Sequence, residues 1–223
     1  RDSAQEESWV RHFWLEAGEE LHVGYPPEDQ WTLRHNLEAR ARELRRSFLE
    51  QVAARASGIC AIALAHHQDD QAETMLLNLM RGTGLDGLGA MRPKKLPFIR
   101  PLLNVSREDI DRWFSQNSSQ SWYEDPTNEE TVQVRNRIRH EVFPLLRNIA
   151  PGSPRLMAQS ALLLQGDAQI RDERVDEVLQ GHLIAGRILD LEGLSGQTRA
   201  MGRLVTRAFL RQYNPYLRAI DRR

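Results

Sequence analysis

An apolar run from Ile59 to Ala65 breaks into two histidines and then into an acid-rich helix, and this junction constrains the fold more than any other part of the chain. The run has the length of a buried strand, and the residues after it keep helical periodicity from Asp69 to Met80. His66 and His67 therefore fall where a strand ends and opens into a crevice, the edge at which open α/β sheets take ligands. Asp69, Asp70 and Glu73 occupy the start of the helix, where carboxylates complement the positive end of the dipole and suit a metal ion or a cationic substrate. Capping alone accounts for such acids in many helices. Two adjacent histidines, which titrate near neutrality and ligate metals, shift the reading toward a functional edge without naming a reaction.

Around this junction the chain alternates helices with short apolar runs. Ser3 to Ala17 reads as a helix with Ser3 as N-cap and Glu6 completing a capping box, ended by Gly18. Leu21 to Val23 is a strand candidate, and Tyr25 to Asp29 a proline-containing loop. From Leu33 to Ala56, apolar residues recur at spacings of three and four, which leaves Arg40, Arg42, Arg45 and Arg46 as a solvated face. Thr83 to Gly89 contains three glycines and reads as a loop able to approach a ligand, with Arg81 just before it. Phe98 to Leu103 is a further strand candidate that carries Arg100. Ser106 caps a helix in which Trp113 and Phe114 are expected in the core rather than as base-stacking platforms. Pro126 excludes a helix from the polar turn Glu124 to Asn128. Val132 to Leu146 reads as a helix bearing Arg135, Asn136 and Arg139, with Pro144 kinking or ending it. Pro151, Gly152 and Pro154 mark a boundary, so the expected division is 1–148 and a mainly helical 149–223. In the second part, Leu156 to Leu179 is an amphipathic helix, Ile188 to Leu191 an extended piece, and Gly196 to Tyr213 a helix with arginines at 199, 203, 207 and 211.

Several motifs in one order resemble the tRNA(Ile)-lysidine synthetases of the N-type ATP pyrophosphatase group. HHQDDQAET at His66–Thr74 is similar to that family's HHxDDQxET element, and RGTGLDGLGAMRP at Arg81–Pro93 to its glycine-rich segment. IRPLL at Ile99–Leu103, WYEDPTN at Trp122–Asn128 and RNRIRHEVFPLL at Arg135–Leu146 continue the match. The resemblance implies a Rossmann-like, parallel-sheet α/β domain followed by a small helical one. It implies an ATP-consuming ligase that adenylates the C2 oxygen of the wobble cytidine in tRNA(Ile) with a CAU anticodon. Free L-lysine then displaces AMP, and pyrophosphate is the other product. By resemblance, His66, His67, Asp70, Arg81 and Arg100 are catalytic, and Asp69, Asp70 and Glu73 hold the substrate lysine or Mg2+, the metal at Asp69 and Asp70. His67, Arg81, Thr83 and Gly84 would contact ATP, and Asp125, Asn128, Arg135, Asn136, Arg139, Arg203 and Arg207 the tRNA. The family's SGGxDS phosphate loop has no counterpart here, and Arg1–Arg11 is similar to the segment after it. An N-terminally incomplete domain, inactive by itself, is therefore expected, since backbone N–H groups of such a loop cradle the phosphates.

Composition narrows the alternatives. No apolar run approaches the roughly 18 residues of a membrane span, so no membrane partner is expected. The single cysteine, Cys60, excludes an internal disulfide and fits a buried thiol in a reducing, cytoplasmic setting; an organellar one stays open because a targeting segment would precede Arg1. A net charge of −1 argues against a simple polycation. Its distribution is uneven, with 8 basic and 14 acidic residues in 1–80 against 22 and 17 in 81–223, so phosphate-contacting surfaces are expected downstream. Oligomeric state stays open, a homodimer included. Two other readings remain. A noncatalytic or degenerate tRNA-binding relative fits the missing phosphate loop, and a zinc-dependent deacetylase fits the His-Asp string but needs a further ligand such as His140 or His182.

Overall fold

A computed structural model describes residues 3–26, 37–56, 58, 61–117 and 134–213. The N-terminal helix α1 (Ser3–Ala17) ends at Gly18, whose positive φ of 70° is the left-handed stop that glycine permits. Leu21 to Val23 forms no strand. This segment lies against the next helix, α2 (Leu37–Arg55), through the close approach of Gly24 to the Phe48 ring, and so satisfies its packing without a ladder.

The sheet is small. Strand β1 (Ile62–Ala63) pairs in parallel with β3 (Phe98–Ile99), Ile62 opposite Phe98, while β2 (Lys94–Lys95) adds to β3 antiparallel. The ladder runs past the assigned strands, since the Leu64 N–H donates to Ile99 O at 2.9 Å. Between β1 and β3 the chain crosses through α3 (Gln68–Met80), which makes a βαβ unit and confirms that the histidines stand where strand passes to helix. The expected strand at 98–103 is shorter, because the chain turns at Pro101, which has no N–H to donate to a ladder. Part of the 59–65 run, Cys60 included, lies outside the described residues, as does Trp122–Asn128 with Asp125 and Asn128.

The glycine-rich segment expected as a loop contains one helical turn, α4 (Leu85–Leu88). Side-chain amides fasten it: Asn78 Nδ2 donates to Gly87 O at 2.8 Å, and Gln71 both donates to Met91 O and accepts from the Met91 N–H at 2.9 Å. Helix α5 (Arg107–Asn117) starts at the Ser106 cap, whose Oγ accepts the Asp109 N–H at 3.0 Å and donates to the Asp109 carboxylate at 2.6 Å. Trp113 is 62% exposed, contrary to the expected core position, since Ile110 and Phe114 occupy the half-buried face of that helix.

The arginine-bearing stretch is one continuous helix in three segments: α6 (Val134–Arg137), a π-turn (Ile138–Val142) and α7 (Phe143–Ile149). Pro144 neither ends nor breaks it. The wider turn directs the Phe143 N–H to Ile138 O, five residues back, just where the proline ring would clash with an ordinary α-helical turn. Gly152, at φ 87°, turns the chain into α8 (Ser153–Gly181), a 29-residue helix that packs back on α3 and α4. Ala72, Ile138 and Phe143 form one core cluster with Met157 of α8 against it. A hairpin of β4 (Leu183–Ile184) and β5 (Ile188–Leu189), a 3-10 turn at Gly193–Gly196 and α9 (Arg199–Tyr213) close the far end of α8 around Val175, Leu179 and Val205. Among the described residues no helix is long and apolar enough to cross a membrane.

Candidate functional site

The edge where β1 and β3 end gathers charge from four elements. His67 sits in extended backbone just ahead of α3, and its N–H donates to Asp70 Oδ2 at 3.0 Å, so the carboxylate caps the helix that bears it. The other oxygen of Asp70 accepts from Arg135 Nη2 at 3.1 Å and Arg139 Nη2 at 3.4 Å. One turn on, Glu73 has no exposed surface and both of its oxygens are engaged: Arg135 Nε reaches Oε2 at 2.7 Å and Arg139 Nε reaches Oε1 at 2.7 Å. Acids three residues apart on α3 thus face arginines four residues apart on the opposing helix, two helical repeats in register. Burial alone would pull the Arg139 guanidinium down, but its bonds to Glu73 and the nearby aspartates hold it above its ordinary value.

This network corrects two expectations. Glu73, expected to hold a lysine or a metal, is fully buried with both oxygens bonded to arginines. The same bonds occupy Arg135 and Arg139, each still about one third exposed, so their first role is to hold the start of α3. Asn136 is also largely buried, away from a solvent-facing tRNA contact. Of the two aspartates expected to hold magnesium, Asp70 is committed to the His67 N–H and the two arginines, whereas Asp69 has only Oδ2 engaged, accepting from Arg147 at 3.1 Å. Among the described residues no cluster of three His, Cys, Asp or Glu side chains is placed to hold a metal ion, so the zinc of a deacetylase finds no three-ligand set there.

Two crevices flank the network. One, about 340 Å³, is bordered by His67, Asp69, Glu73, Glu108, Arg139 and Arg147, and it shares Asp69, Glu108 and Arg147 with a larger space of about 700 Å³ between α5 and the start of α8. The other, about 320 Å³, lies between α2 and the β1–β3 pair and contains His66 with Arg42, Arg45, Arg46, Arg100 and Arg135. Arg100 enters from the end of β3, where its Nη1 donates to Arg92 O at 2.9 Å, while its Nε is buried without a partner. The Nδ1 atoms of His66 and His67 are likewise buried and unpaired. Burial lowers the His66 pKa below its ordinary 6.5, and Arg100, Arg135 and Arg42 add to this against the opposing field of Asp70. His66 is therefore a neutral imidazole at pH 7, able to take a proton. The arginines of α2, read from sequence as a solvated face, were missed as part of the site. Their i, i+3, i+4 spacing signalled a common face, but no local pattern shows that the face looks onto strand ends.

Other expected residues lie elsewhere. Arg81 and Asp70 are separated by most of α3, about 16 Å along the axis. Arg81, Thr83 and Gly84 therefore do not join His67 in one phosphate site; Arg81 ends α3, donating its N–H to Asn78 O at 3.1 Å. Arg203 and Arg207 belong to α9, packed on the opposite half of α8 from the network.

A βαβ unit with a polar cluster at its strand ends defines an α/β protein of the ligand-at-the-edge kind. The chain belongs to the PP-loop domain family, whose model matches residues 1–146. It is similar to the tRNA(Ile)-lysidine synthase of Geobacter sulfurreducens, with 37% identity over 180 residues, 78% of this chain and 38% of that protein. The corresponding protein of Bacteroides thetaiotaomicron is 37% identical over 79% of this chain and 41% of its own length, and that of Thermobifida fusca 38% identical over 74% and 50%. The chain thus spans two fifths to half of these relatives.

Proposed function

We propose that the protein makes lysidine in tRNA(Ile), using ATP to adenylate the wobble cytidine of a CAU anticodon and free L-lysine to displace AMP. The observation that carries the reading is the arrangement at His66–Glu73: the motif shared in order with this family stands at the strand ends, locked by Arg135 and Arg139, with an anion-attracting cleft on one side and, on the other, a crevice of mixed charge that carries Asp69 and Glu108. ATP use follows from the family of the domain.

The chemistry divides between the crevices. Adenylation needs positive charge where pyrophosphate leaves, and Arg100 supplies it beside His66. The second step needs lysine held by its charge and its ε-amine deprotonated, since only the free amine attacks. Asp69 and Glu108, on the crevice facing α5, are the carboxylates that can hold such a cation, Asp69 by exchanging its exposed bond to Arg147. His67, which borders the same crevice and has an unpaired ring nitrogen, is the imidazole placed to receive the proton. Asp70 and Glu73 act as positioning residues that fix the histidines' helix start.

Incubating the protein with ATP, lysine and a CAU-anticodon tRNA(Ile), followed by nucleoside mass analysis, tests the reading. Lysidine is expected only when all three are present. Unmodified cytidine after incubation with a folded, full-length protein would overturn it.

A further inference from the structure

Helix α8 has a core side and, away from it, a second apolar line. Ala158, Ala161, Ala168 and Val175 are buried, and the helix packs on α3, α4 and α9. Leu156, Leu163 and Ile170 are instead 59%, 72% and 68% exposed. They recur every seven residues. At about 100° per residue that spacing drifts by only about 20° per repeat, and a left-handed wrap of two helices turns such a line into a continuous seam. Three large side chains aligned in water carry a hydrophobic cost that a matching surface removes. The ground between them suits a second helix. Ser160 and Gly166 are small, and a side chain added at Gly166 would meet nothing within 4 Å, so another backbone has room to approach.

The line is symmetric about Leu163. Leu156 and Ile170 lie seven residues to either side of it, and Ser160 and Gly166 three. Such a pattern matches its own reverse, which is what a two-fold axis between antiparallel helices requires. Charge agrees with this direction. With the axis at Leu163, Arg155 falls on the same flank as Glu173 of the second copy, and symmetry makes the pair twice; a parallel pairing would set Arg155 against Arg155 and Glu173 against Glu173. Arg155 makes no hydrogen bond or ion pair among the described residues, and Glu173 has one oxygen engaged, accepting from Gln169 at 2.9 Å. Asp167, Glu173 and Glu177 beside the line oppose a phosphate backbone as its occupant.

We propose that α8 pairs antiparallel with α8 of a second copy of this chain, with Leu163 at the two-fold axis. The assignment does not depend on the lysidine reading. The seam from Leu156 to Ile170 is about 21 Å long, whereas stable interfaces bury about 1,200 Å² or more. The dimer is therefore a reversible one, populated in the micromolar range, and its association is concentration-dependent.

Sedimentation velocity of the 223-residue chain across the micromolar range should show monomer passing to dimer. L163E should weaken association about tenfold or more while leaving the urea midpoint unchanged, since Leu163 is exposed. R155E or E173R should weaken it at least about threefold, and R155E/E173R should restore it. Disulfide trapping reads the direction of pairing. With the chain's single cysteine replaced (C60S), L163C should oxidise to a covalent dimer at least about tenfold faster than D176C, on another side of the helix, because only facing positions bring two Cβ atoms to about 4 Å. L156C and I170C should each trap poorly alone and readily when mixed. Monomer at every concentration overturns the proposal and leaves the line to a different partner. A dimer unaffected by L163E overturns it by placing the contact elsewhere, and self-trapping of L156C as fast as L163C overturns it in favour of parallel helices.

Discussion

Glu73 is the residue on which the site's order depends most. It is fully buried, and its two oxygens carry the strongest links between α3 and the arginine helix. Glu73→Gln keeps the shape but removes the charge, leaving two guanidiniums facing an amide. Breaking a buried pair costs about 3–5 kcal/mol, and the lower end is expected because Arg135 and Arg139 reach water. Urea denaturation should report a loss of about 3 kcal/mol; a midpoint within error of wild type would show that the network contributes nothing to folding. His66 makes a pH-dependent contribution of opposite kind. Its folded pKa lies below 6.5, so between the two values the unfolded chain binds more protons than the folded one. Stability therefore rises with pH through that window and is fully present above the unfolded value. Thermal melts from pH 7.5 down to 5 should fall less steeply for His66→Asn than for wild type; parallel profiles would contradict the burial assigned to this imidazole.

Among the elements, α8 has the widest reach. Its Gln165 Nε2 donates to Gly89 O at 2.5 Å and Met91 O at 2.8 Å, and Arg171 pairs with Asp86, so a helix beyond the matched domain fastens the glycine-rich segment that Gln71 grips from α3. Gln165→Ala should release this segment while leaving α3 intact. Hydrogen exchange is the direct measurement: faster exchange of the amides from Gly87 to Met91, with α3 amides unchanged, is expected, and uniform protection in the variant would assign the clamp to Gln71 alone. The π-turn at Ile138–Val142 is the second element of consequence. It contains Arg139 and lets the helix continue through Pro144 without a break, with Arg135 and Arg139 both on Glu73. Periodicity predicted the helix and flagged the proline, but a widened turn leaves no mark in the spacing of apolar residues.

For the molecule as a whole, the division at 148/149 is not a gap in packing. Met157 covers the cluster of Ala72, Ile138 and Phe143, and Ala158 and Ala161 of α8 are buried. A chain ending at residue 149 would expose that surface and lose the cover of α3. We expect it to show no cooperative urea transition by far-UV circular dichroism, whereas the full chain does; a sharp transition in the short form would mean that the first part folds alone.

What the sequence determined by itself was local. Strand-to-helix passage at His66, the helices and the Ser106 cap follow from periodicity and capping chemistry, which act over a few residues. The motif order pointed to the family for the same reason, since motifs are short and ordered along the chain. Tertiary structure decided which of the charged residues face one another. Asp70 and Glu73 looked like free ligands until Arg135 and Arg139, more than sixty residues away, were found to hold them. Arg42, Arg45 and Arg46 of α2 are exposed, as their face predicted, and only the packing of that helix beside β1 and β3 shows that this face borders the cleft. Such pairings depend on the three-dimensional placement of elements, where Coulomb energy and desolvation vary with distance and burial, and residue spacing carries no record of either.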